Sequence, residues 1–101
     1  MIFRQKKETE KGFSKKAGRY LATELERLMN MPLTTEEEVK QWYAECGQVQ
    51  KALISRFPEF EFDPEVWHFF ADADIRARDP AAAAKHHQFI TGYIAALRKR
   101  S

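Results

Sequence analysis

Apolar residues recur along this chain at spacings of three and four with polar residues between them, the pattern of helices that each bury one side. The first run extends from about Ser14 to Met31. Ala17, Leu21, Leu25, Leu28 and Met29 share one side, while Lys15, Lys16, Arg19, Thr23, Glu26 and Arg27 fall on the other. Pro32 ends this run, because proline pushes the residue before it out of the α region. Thr34 with Glu37, and Thr35 with Glu38, each match a capping box, in which hydroxyl and carboxylate satisfy backbone amides at a helix start. Val39, Trp42, Tyr43, Cys46, Val49, Leu53 and Phe57 then form the stripe of a second helix, which stops before Pro58.

Between Pro58 and Asp63 the period changes to two. Glu59-Phe60-Glu61-Phe62-Asp63 alternates acids and aromatics, so an extended backbone turns the phenylalanines one way and three carboxylates the other. Asp63-Pro64 then restarts a helix, with Asp63 as N-cap, Pro64 at the first position, and Phe62 placed to staple onto Trp67. Val66, Phe69, Phe70, Ala73 and Ala77 form the apolar side of this third helix. Asp72–Arg76 and Asp74–Arg78, each four apart, are expected outside as ion pairs. Asp79-Pro80 repeats the start signal for a fourth helix, whose stripe is Phe89, Ile90, Tyr93, Ile94 and Leu97. Arg98, Lys99 and Arg100 suit its negative end. Gly18, Gly47 and Gly92 fall inside helices, where each costs about 1 kcal/mol relative to alanine unless a close crossing or a bend compensates.

The pattern predicts an all-α, compact, four-helix bundle-like single domain over 13–101, with neighbouring helices antiparallel because their connections are short. Residues 1–12 are basic and aperiodic and are expected to form a mobile arm. Composition agrees. The 101 residues allow one core, and 44% apolar with 13% aromatic content argues against disorder. Four glycines and four prolines are too few for a loop-rich or all-β chain. No apolar run reaches the length of a membrane span, and the amino terminus lacks the apolar core of a secretory signal. The lone Cys46 allows no internal disulfide, which points to a reducing compartment and a cytoplasmic location.

Charge changes the picture more than composition does. Residues 1–20 hold seven basic and two acidic side chains, 21–79 six and thirteen, and 80–101 four and none. From Glu59 to Asp74 there are six carboxylates and no lysine or arginine. An aromatic ringed by acids suits a basic protein partner. The expected contact residues are Glu59, Glu61, Asp63, Glu65, Trp67, Asp72, Asp74 and Ile75. The leading functional expectation is a non-enzymatic interaction module of adaptor, inhibitor or immunity type.

Two other classes compete. The basic residues Lys6, Lys7, Lys11, Lys15, Lys16 and Arg19, with the Arg98–Arg100 tail, could contact nucleic-acid phosphates, although no helix-turn-helix or stacking pattern accompanies them. A small enzyme could be built around His86, which interrupts the fourth helix's stripe and needs a hydrogen-bond partner from among Tyr20, Tyr43, Tyr93, Gln50 and Glu24. That reading requires a pocket opening onto the imidazole. No catalytic or cofactor motif is present. Metal binding is not expected, because His68 with Asp72 and the adjacent His86 and His87 supply too few convergent ligands. Cys46 lies within an apolar stripe, where a thiol behaves as a small hydrophobe.

Overall fold

The computed structural model describes residues 14–100, so the expected arm at 1–12 lies outside the described residues. Its helices are α1 (Lys15–Met29), α2 (Glu36–Arg56), α3 (Glu65–Ala71), α4 (Ala73–Arg78) and α5 (Pro80–Arg100), with no strand among the described residues. The chain is all-α.

Each start follows from its local sequence. The Ser14 hydroxyl accepts the Ala17 amide (3.2 Å), and Thr35 caps α2 through the Glu38 amide (3.1 Å). Of the two possible capping boxes at α2, the one with Glu38 forms in a shifted version, with the hydroxyl of Thr35 and the backbone of Thr34 as its two partners. The Glu38 carboxylate reaches back to the amide and hydroxyl of Thr34 (2.7 and 2.6 Å), and these bonds hold it below the usual carboxylate range. Asp63 accepts the Glu65 amide (2.9 Å), and Asp79 accepts those of Ala81 and Ala82 (3.0 and 3.2 Å).

α5 packs against α1, α3 and α4, while α2 packs against α1 and α4. The Thr91 hydroxyl meets Met29 Sδ (3.7 Å) and Arg98 pairs with Glu26 (2.8 Å), so α1 and α5 run antiparallel. Leu21, Leu25 and Leu28 of α1, Trp42, Cys46, Val49 and Leu53 of α2, and Ile90, Ile94 and Leu97 of α5 meet in one core, with Val66, Phe69 and Phe70 from α3. The Trp42 indole N–H donates to the Leu28 carbonyl (2.8 Å), so this large buried ring is also polar-satisfied.

Two expectations are corrected and one open point is resolved. The third helix is divided at Asp72, whose backbone leaves the helical region (φ −109°, ψ 29°). The division leaves carbonyls without amide partners, and side chains take them. Arg76 Nη1 donates to Phe69 O (2.8 Å), and the Tyr43 hydroxyl lies at 2.9 Å from Ala71 O while accepting the Asp74 amide (3.2 Å). Secondly, Arg76 is not outside. Only 8% of it is exposed, while Ala77 faces solvent, and neither Asp72–Arg76 nor Asp74–Arg78 closes an ion pair. Within α4, position 76 lies about one turn after the buried Ala73, so it shares the inward side that the four-residue pairing rule ignores. The open point is the glycines: α2 and α5 run unbroken through Gly47 and Gly92, as the helical pattern there allows, and a Cβ at either would meet nothing within 4 Å. Close crossing therefore does not explain these glycines.

Candidate functional site

The extended segment behaves as its alternation predicts. Phe60 and Phe62 turn inward and are partly buried, whereas Glu59, Glu61 and Asp63 face solvent. The Asp63 amide donates to the Tyr93 hydroxyl (3.1 Å), which ties the segment to α5. Phe62 packs on Trp67 (centroids 5.1 Å), the expected staple, and both rings touch Phe70 (6.1 and 5.9 Å). An aromatic row thus continues through Phe69 (6.3 Å from Phe70) to Trp42 (5.3 Å), linking the surface to the core.

Trp67 remains 50% exposed although its ring is held on two sides. It shares the wall of a shallow apolar groove of about 110 Å³ with Ile54, Phe57, Pro58, Phe60 and Phe62. Ile54, at 68%, is the most exposed large apolar residue described, and the sequence reading missed it. The available signal was its position beside Leu53, one step off the buried stripe and one turn before Phe57.

Glu59, Glu61, Asp63 and Glu65 form no ion pair with any described residue. The nearest cation along the chain, Arg56, lies instead over the Tyr20 and Phe57 rings (5.1 and 5.2 Å).

The structure does not gather all eight expected contact residues. Asp74 Oδ1 lies 3.0 Å from the Tyr43 hydroxyl, competing with Ala71 O for its single proton, and Asp74 lines a separate opening with Val39, Lys40 and Arg78. Tyr43 and Ile54 are eleven residues apart on α2, about 16 Å along its axis, so Asp74 stands well away from the groove. Asp72 sits at the α3–α4 division, partly buried, and Ile75 is 38% exposed beyond it.

His86 meets none of its expected partners. Its Nδ1 lies 3.1 Å from Arg76 Nη1. A guanidinium only donates, so Nδ1 must be the acceptor and the ring is the neutral Nε2–H tautomer. Burial and the neighbouring Arg76 charge both lower its pKa. Arg76 itself lies against the Phe69 and Trp42 rings (4.2 and 4.8 Å from their centroids), and burial pulls it down to about 10, still cationic at neutral pH.

An opening of about 240 Å³ does reach His86, lined also by Glu65, Lys85, Phe69, Phe89 and Ile90. It contains no hydroxyl or thiol that the imidazole could activate. Burial pushes the Cys46 thiol up to about 12, so it stays protonated inside the core. Among the described residues no group of three or more His, Cys, Asp or Glu could hold a metal ion, and no helix is long and apolar enough to cross a membrane. Comparison with protein-family models, with curated proteins and with solved structures finds no match to this chain.

Proposed function

We propose that this protein is a non-enzymatic interaction module whose groove beside Trp67 receives a basic segment of a protein partner. The supporting observation is the half-exposed indole, fixed between Phe62 and Phe70 at an apolar groove, with the solvent-facing Glu59, Glu61 and Asp63 alternating along the chain with the groove residues Phe60 and Phe62 and in no ion pair among the described residues. A rigid aromatic loses little entropy when covered, and its removal from water supplies affinity. The one-signed acidic segment would accelerate encounter with lysine- or arginine-rich segments and reject acidic ones. The centre of the surface shifts from the broad acidic run towards Glu59, Glu61, Asp63, Glu65, Trp67 and Ile54. The reducing cytoplasm is its proposed setting, where the single thiol of Cys46 would persist.

Selection from a random peptide library on the immobilised domain tests this reading. It should enrich basic peptides carrying one large apolar residue. Trp67→Ala should weaken the enriched peptides roughly tenfold or more, as a buried aromatic anchor does. Glu59→Lys with Glu61→Lys should weaken them with unchanged thermal unfolding. Enrichment without a basic excess, or equal binding by the charge-reversed variant, would refute the proposal.

A second reading draws on the antiparallel α1–α5 pairing, which brings Lys15, Lys16 and Arg19 to the same end of the molecule as Arg98, Lys99 and Arg100. Such a basic end would bind nucleic acid through phosphates, with affinity falling steeply as salt rises. A salt titration against generic duplex and single-stranded DNA separates the two readings. The groove predicts no retention even at low salt.

A further inference from the structure

The Arg76 guanidinium is the most unusual group in this molecule. It is cationic and more than nine-tenths buried, yet no carboxylate lies within ion-pair distance among the described residues. Nη1 has Phe69 O and His86 Nδ1, while Nη2 has no acceptor and is sealed from solvent. Asp72 and Asp74 act on it only from a distance, and Asp74 Oδ1 is also within hydrogen-bond range of the Tyr43 hydroxyl. A buried donor without an acceptor costs free energy, and an ionic one costs more. Chains retain such groups where something else supplies the acceptor.

Arg76 also lines a cavity of about 310 Å³ between the end of α1, α2 and α4. The other walls include Met29, Met31, Leu33, Trp42 and Phe69, apolar and partly aromatic, with His87 at one side. This volume reaches the lower end of the range for small-molecule sites. Nη2 itself is not exposed to the cavity, so a ligand reaches it only by displacing part of the wall, for which two methionines supply unbranched, adaptable side chains.

The geometry points to a binding site for a small apolar monocarboxylate in this cavity, its carboxylate on Arg76 and its hydrocarbon against Trp42, Phe69 and the methionines. A single carboxylate matches the one buried Arg76 nitrogen left without an acceptor among the described residues, Nη2. Asp72 and Asp74 together disfavour a multiply charged anion such as phosphate. The site is independent of the groove at Trp67 and does not require that groove to bind a peptide.

The test uses the Trp67→Phe background, in which Trp42 is the only tryptophan, with isovalerate, benzoate and phenylacetate as probes. Phenylacetamide and inorganic phosphate serve as the neutral and polyanionic controls. At least one carboxylate should change Trp42 emission saturably and shift the methyl resonances of Met29, Met31 and Leu33. Phenylacetamide should bind roughly ten- to a hundredfold more weakly than phenylacetate, the difference expected of a charge-assisted hydrogen bond.

Ala83→Leu fills the cavity from α5 and leaves the guanidinium untouched, so it should abolish binding in a folded protein. Arg76→Met should abolish discrimination between acid and amide. Failure of every carboxylate at millimolar concentration would overturn the assignment. So would equal binding of the amide, or binding that survives Ala83→Leu.

Discussion

At the scale of the residue, burial and one short contact together favour a neutral imidazole at His86. Arg76 Nη1 at 3.1 Å from His86 Nδ1 requires a neutral imidazole, since a second proton would remove the acceptor and set two cations together. Asp72 and Glu65 pull the ring the other way, but burial and Arg76, with a small addition from His68, prevail and lower its pKa below the usual 6.5. A histidine lowered on folding is less protonated folded than unfolded. Its contribution to stability is therefore complete above pH 6.5 and is lost as pH falls from there through the lower folded value. His86→Gln keeps an acceptor that does not titrate. The stability difference between wild type and His86→Gln, followed by urea unfolding from pH 7.5 to 5, should shift against the wild type below about pH 6.5. A flat difference would show that folding leaves the imidazole's proton affinity unchanged. Glu38 titrates lower, below 4.5, so its contribution does not overlap this window.

At the scale of the element, sequence and structure agree most closely where the signal is local. Caps at Ser14, Thr35, Asp63 and Asp79 open helices as their side chains dictate, and the period-two stretch from Glu59 to Asp63 turns its phenylalanines inward. They part where a helix must answer to its neighbours. The third helix divides at Asp72, and no residue there is a breaker. Side chains of Arg76 and Tyr43, the latter from a different helix, make the division affordable by taking the released carbonyls. Gly47 and Gly92 are the converse case, two breakers in unbroken helices with open space beside them and no positive φ. Gly47→Ala and Gly92→Ala should each stabilise the protein by about 0.5–1 kcal/mol, read as a higher urea midpoint with an unchanged slope.

At the scale of the whole molecule, α1 and α5 provide the longest packed seam, and the remaining helices close around it. Leu25 and Ile90 are fully buried in the shared core. Leu25→Ala should cost about 2–5 kcal/mol by urea unfolding, a large part of the total for a domain of this size. A cost below 1 kcal/mol would mean that the seam relaxes around the lost side chain. The same assembly separates surfaces of different character. Trp67 and Ile54 line the groove between α2 and α3, exposed acids alternate with its phenylalanines along residues 59–63, and basic residues lie in the first turns of α1 and the last turn of α5.

The sequence alone determined the all-α class, the helix starts, the buried stripes and the solvent-facing acids of residues 59–65. Each of these depends on spacing within one segment, through backbone periodicity and side chains a few residues apart. Only the tertiary structure decided that Ile54 joins Trp67 on one groove, that Asp74 stands apart from it, and that Arg76 is buried against His86 beside a cavity. Those facts depend on which helices meet and at what rotation. The free energy that selects such contacts comes from apolar surface shared between segments distant in sequence, a quantity no single stretch of sequence contains.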